Sequence, residues 1–511
     1  MLHLLNTAMA ETMLPSKVAL APHIVALCTI FVTTWQLLRR SKKASCPSVP
    51  GSWLFGNLPD FLRAASCHRH LDMFVEHHRE LGKTILYKFP FKPEIISTTS
   101  PRNIEHMLKG NFHNFVKGWW FRAPLTQLLG DGIFNADGQL WHMQRKTASR
   151  MFTAQRFKDH IWHVVQKNSV KVQSLLATVA ETRETVDIFR LMNRFTLDSI
   201  GEIGFGTDIG SLDDPTSPFL ASFDHAQKAA FYRFILPGPV WRVLRLLGVA
   251  SEYNSSLHFR LLDDYSREVV RALAKSLADG DTSGGSSFVG LFLQDAASKG
   301  EVLSENFLRD LVLNFLIAGR DTTAQALSWT VFCISGHPEV EKRIVEELSA
   351  LEDEADRSLT YQKVSQLPYL QAVVNEALRL YPSVPSDSKV AIHDDTLPDG
   401  TFVPSGTVVQ YTPYAMARDE TLWGPDAADF KPQRWMEMEV PPSTYEFAVF
   451  NAGPRECLGK RLAYLELKAC LAHIFRDFTV ELAIPREEVM PQSSLTIGMS
   501  SGLPCRIHRR R

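Results

Sequence analysis

The 511-residue chain has no CxxC pair, and its seven cysteines (Cys28, Cys46, Cys67, Cys333, Cys457, Cys470 and Cys505) are odd in number. Both facts argue against a disulfide framework or a zinc site of paired thiols, and they suit a reducing compartment. Charge of one sign is also lacking, because the formal net charge is -1. With no basic surplus, nucleic acid is not an expected partner. No internal repeat is visible. What the chain does have is apolar material: 45% hydrophobic against 22% charged residues, enough for a large buried core. Its length allows two or three average domains or one large catalytic unit.

Residues 18–38 (VALAPHIVALCTIFVTTWQLL) are mostly apolar and are followed at once by Arg39, Arg40, Lys42 and Lys43. That length is close to the roughly 20 residues that span a bilayer. Basic residues on this flank hold it on the cytosolic side. A cleaved signal peptide carries its positive charge on the other flank. A buried helix is the other alternative, since Pro22 and His23 interrupt the run. The expected organisation is a single-pass anchor over 1–44 and a catalytic domain over 45–511. Between them Pro47, Pro50 and Gly51 form a stiff hinge.

Thr84–Phe89 and Glu94–Thr98 are strand candidates, with a proline-rich turn between them. Trp141 to Lys146 opens a helix after the turn at 135–138, and Trp141 and Arg145 share one face. Residues 219–249 mix Phe223, Phe231, Phe234 and Trp241 with Arg233, Arg242 and Arg245, a composition suited to a membrane interface or to inward packing. Residues 279–287 read as a flexible connector.

A helix apolar on nearly all sides runs from Ser304 to about Ser335 and is stopped by Gly336-His337-Pro338. Within it lies a polar cluster, Ala318-Gly319-Arg320-Asp321-Thr322-Thr323. A glycine there costs about 1 kcal/mol relative to alanine, so another group is expected to approach its backbone. Glu376 and Arg379 lie three apart on a second helix, and Arg434 follows later. Near the end comes Phe450-Asn451-Ala452-Gly453-Pro454-Arg455-Glu456-Cys457-Leu458-Gly459, a loop before a helix that starts at Lys460. A thiol beside an arginine at a helix start is expected to favour thiolate, the form that binds metal.

This loop resembles the cysteine-ligand loop of the cytochrome P-450 haem-thiolate monooxygenases. The other motifs occur in that family's order. The resemblance implies a mainly α fold with a smaller, sheet-rich N-terminal part, and haem b with Cys457 as axial ligand of its iron. It implies Trp141, Arg145, Arg455, Phe450 and Gly319 around the haem, and Thr322 and Asp321 as hydrogen-bonding partner of O2 and proton relay. Glu376, Arg379 and Arg434 would form a buried structural triad. Val384 to Lys389 and Ser494 to Met499 would line the substrate cavity, with Lys389 in reach of a haem propionate.

The implied reaction inserts one oxygen atom from O2 into a C–H bond of a lipophilic substrate. Electrons would come from NADPH through the flavins of a separate membrane-bound reductase, docked near Arg455, Lys460 and Arg461. The location implied is the endoplasmic reticulum membrane, with the catalytic domain on the cytosolic side. The runs Leu129–Gly138 and Asp310–Asn314 through Thr323 look most like the fatty-acid omega-hydroxylases of plants and fungi. Ala318 stands where animal fatty-acid hydroxylases often carry a haem-linked glutamate, so covalent haem is not expected. Sterol, terpenoid or xenobiotic hydroxylation stays open, as does a haem-thiolate isomerase or lyase acting on lipid hydroperoxides.

Overall fold

Helices carry most of the chain, and six of them position the site: α1 (Gly138–Ser149), α2 (Ile188–Phe205), α3 (Pro218–Ile235), α4 (Glu305–Ser335), α5 (Pro368–Leu380) and α6 (Lys460–Asp477). They are seen in a computed structural model that describes residues 44–152, 160–216, 218–279, 287–351 and 358–510. The expected span at 18–38 and its basic flank lie outside the described residues, as does most of the connector at 279–287. Among the described residues no helix is long and apolar enough to cross a membrane.

α4 is the axis of the molecule. The Ser304 side chain accepts from the Phe307 N–H and caps its start, and its residues are buried along nearly the whole length. α2 lies against it, and the two meet where Gly319 faces Ile200. A Cβ on Gly319 would sit 2.6 Å from the Ile200 side chain. The group that approaches this glycine is therefore a packing partner from a neighbouring helix.

The main sheet has the order β1 (Thr84–Tyr87), β2 (Ile95–Thr98), β5 (Val408–Tyr411), β4 (Asp387–Ala391), β3 (Phe115–Val116). β2 pairs with β5 in parallel, Ile95 opposite Val408 through Thr98 opposite Tyr411, and the other pairs are antiparallel. The β part is thus not simply N-terminal as expected. Two of its five strands come from beyond residue 386, because a parallel neighbour needs a long crossover. A smaller sheet joins Val186–Asp187, Pro504–Arg509 and Phe478–Leu482.

Two further contacts hold the frame. The loop at 129–138 docks on α4: Asp310 accepts from the Asp131 N–H at 2.9 Å, and Asn314 donates to the Leu129 carbonyl at 2.8 Å. Gly130 and Gly132 are required there, since a Cβ would lie 2.0 Å from Asp310 and 1.9 Å from Asn314 respectively. Behind α4, Arg379 grips both oxygens of Glu376 at 2.9 Å, and Arg434 adds a contact at 3.1 Å. The Trp435 indole and the Lys431 N–H complete the carboxylate's shell at 2.8 and 2.9 Å. Every charge in this buried triad is paired and hydrogen-bonded, as burial demands.

Candidate active site

The cysteine loop is closed upon itself before α6 begins. The Cys457 N–H donates to the Phe450 carbonyl at 2.8 Å. Gly453 turns the chain at φ +63°, where a Cβ would lie 2.1 Å from the Leu108 carbonyl oxygen. Cys457 is exposed, but into a cavity of about 520 Å³ that its side chain floors. Burial raises the thiol pKa, outweighing the Gly459 N–H and the Arg145 charge that pull it down. The expected bias toward thiolate is therefore not supplied by the loop alone. The reason is desolvation: the sulfur sits deep, and the charges of Arg145 and Lys460 do not offset that burial.

Trp141 and Arg145 on α1 stand in the wall beside the sulfur, and Arg455 lies 4.5 Å over the Trp141 ring. Asp137 organises this wall. Its carboxylate accepts from the Lys117 and Gly118 N–H groups at 3.1 and 2.9 Å and from Arg455 at 2.8 Å. Its sequence neighbourhood gave a turn and a run resembling the omega-hydroxylases, but no signal for this role. Lys117, also missed from sequence, lines the cavity and pairs with Asp387 at 2.8 Å. Lys389 is fully buried behind it and holds the other Asp387 oxygen at 2.6 Å, so it does not reach the cavity. Among the described residues Arg145 has no ion pair, and the Trp141 indole N–H has no acceptor.

α4 forms the opposite wall through Ala318, Gly319 and Thr322. The Thr322 hydroxyl donates to the Ala318 carbonyl at 2.6 Å, which leaves its lone pairs for the cavity. Asp321 is turned away. One oxygen takes Arg320 at 2.9 Å, the other has no hydrogen-bond partner among the described residues, and neither lines the cavity. Burial raises its carboxyl to about 6, against the pull of Arg320.

Seven of the eight expected site residues, Cys457, Thr322, Gly319, Trp141, Arg145, Arg455 and Phe450, thus share one cavity; Asp321 does not. Of the expected linings, Val384 to Ser388 and Ser494 to Thr496 reach it while Lys389 and Ile497 to Met499 do not; Ser383 joins them, together with Phe231 and Phe234 of α3. Arg233 is buried instead, paired with Glu252 at 2.6 Å. Arg455 is only 8% exposed and points inward, so it cannot belong to an outer docking face. Lys460 there is paired with Glu456 at 3.1 Å.

The donor set tests what such a site can hold. A single sulfur on the floor suits a metal that brings its other ligands with it. Apolar walls and a cationic edge of Lys117, Arg145 and Arg455 suit a flat hydrophobic ring bearing carboxylates. The family model described as Cytochrome P450 matches residues 47–503. The chain belongs to the cytochrome P450 family. It is 38% identical to cytochrome P450 86B1 of Arabidopsis thaliana over 82% of this chain and 78% of that protein. Identity with cytochrome P450 704C1 of Pinus taeda is 35%, over 93% and 94% of the two chains. With the fungal cytochrome P450 monooxygenase cyp1 of Mycosarcoma maydis it is 34%, over 90% and 75%. This cytochrome P450 is an oxidoreductase of the monooxygenase family, and membership implies a haem-thiolate centre, which the cavity fits.

Proposed function

We propose that this cytochrome P450 hydroxylates a fatty acid at or near its terminal carbon, using O2 and electrons passed from NADPH by a separate flavin-containing reductase. The observation that supports this reading is the cavity wall. Away from the cationic edge it is built from aromatic and aliphatic side chains, among them Phe231, Phe234, Phe288 and Phe315. Such a wall selects a flexible hydrocarbon by area buried, at about 25 cal/mol per Å². The catalytic domain over 45–511 would be held at the endoplasmic reticulum membrane by an anchor over 1–44, facing the cytosol.

In this reading Cys457 would bind the metal of the ring, and Arg145, Arg455, Lys117 and the Trp141 N–H would hold the ring's carboxylates. Phe450 and Gly319 border it. Haem bound there supplies oxygen activation, favoured by electron density from the thiolate. The walls position the chain and exclude water. Thr322 offers an acceptor at the cavity for a water proton, and Asp321, raised to about 6, stands one residue away where it can take up and release a proton. To deliver it, Asp321 must turn from Arg320 or pass it through water.

The test is incubation of the full-length protein with a reductase, NADPH and mixed C12–C18 fatty acids, followed by mass spectrometry. Terminally hydroxylated acids are the expected products, and their absence retires the fatty-acid reading.

A further inference from the structure

Lys92 lies in the turn between β1 and β2 and lines the same cavity. It is only 7% exposed. Its ammonium donates to the Phe234 carbonyl at the end of α3 and sits 5.2 Å from the centre of the Trp120 ring. Among the described residues no carboxylate pairs with it. The contrast with other buried cations is direct: Lys117 and Lys389 share Asp387, and Arg233 holds Glu252.

A cation taken out of water without a counter-ion is costly, and one carbonyl and one ring face offset only part of that cost. Burial accordingly lowers the Lys92 ammonium to about 7. An anion arriving in the cavity would restore the charge and complete the pair. Arg145 and Arg455 are both gathered about Trp141 beside the cysteine, where the ring carboxylates belong. Lys92 stands apart from them, against Phe89, Trp120 and Phe234.

We infer that Lys92 binds the carboxylate of an acyl-chain substrate, fixing that end in the cavity wall and leaving the hydrocarbon to the apolar remainder. This rests on the acyl-chain reading of the site and adds to it a residue that selects a free acid over its ester. A charge-assisted hydrogen bond of this type is worth a preference of about tenfold to a hundredfold.

The experiment measures binding of dodecanoate and of methyl dodecanoate to the haem-loaded full chain, for wild type, K92M and K92R, by equilibrium dialysis. Methionine keeps the length and apolar stem of lysine, so K92M should fold, and its thermal midpoint serves as the control. The inference expects wild type and K92R to prefer the acid at least tenfold and K92M to bind both within about threefold. A K92M protein that keeps the preference overturns Lys92 as the anchor while leaving the fatty-acid reading in place. Equal binding of acid and ester by wild type does the same. If wild type binds neither probe, the fatty-acid reading falls and the anchor falls with it.

Discussion

Cys457 shows how a residue's chemistry depends on what is bound beside it. Burial keeps its thiol protonated more strongly than an exposed cysteine, so a metal cation must supply the force that removes the proton. Reduced wild-type protein with carbon monoxide should therefore show the red-shifted Soret band of a thiolate-ligated haem, and Cys457→Ala should lose it; a variant retaining that band would sink the ligand assignment. Thr322 commits its proton to Ala318, so Thr322→Ala should consume NADPH with less product per electron pair, while Thr322→Ser keeps coupling near wild type. Product-to-NADPH ratios decide this. Glu466, buried on α6 within the cavity wall, is raised by burial from 4.5 to about 8, with the Thr323 hydroxyl beside it pulling the other way. The folded protein then keeps a proton that the unfolded chain has lost at neutral pH. Its contribution to stability is present below pH 4.5 and is lost as pH rises through about 8. Glu466→Gln should flatten that slope and stabilise the protein by roughly 2–4 kcal/mol at pH 8, read from urea midpoints across pH.

At the scale of elements, the loop at 129–138 and α4 interlock. The two runs that carry the resemblance to omega-hydroxylases prove to be partners of one another: Gly130 and Gly132 pass beneath Asp310 and Asn314. Their work is to seat the chain that leads into α1 and so to place Trp141 and Arg145. They line up the cofactor wall and also lend Leu129, Ile133, Phe134 and Asn314 to the cavity lining. Gly132→Ala should cost about 1–3 kcal/mol through overpacking against Asn314 and should lower haem occupancy, measured by pyridine haemochrome content. Gly138, at φ +59° with nothing near its missing Cβ, should cost only about 1–2 kcal/mol as alanine, from backbone strain alone. A loss at Gly132 no larger than at Gly138, with haem content unchanged, would contradict the interlock.

At the scale of the whole molecule, the Glu376 carboxylate ties α5 to Lys431, Arg434 and Trp435. Glu376→Ala leaves the buried Arg379 without its anion, whereas Arg434 keeps Asp426 at 3.2 Å; the expected loss is about 3–5 kcal/mol, with protein that fails to retain haem at 37 °C. Pairing of Glu376 with Arg379 could be read in advance because three residues on a helix put both on one face. The start and stop of α4, the helix after Cys457 and the strands near 84 and 95 were legible for the same reason: caps, breakers and periodicity act within a few residues. Local patterns thus determined the order of motifs, the lone sulfur and the mainly helical class. What tertiary structure decided involves residues far apart in the chain, whose meeting leaves no local trace. Asp137 gathers Lys117 and Arg455, Ile200 claims the space at Gly319, and Asp321 turns to Arg320 and away from the cavity. Among the described residues Lys92 is left without a carboxylate, because which cations find partners depends on where distant strands and helices come to rest.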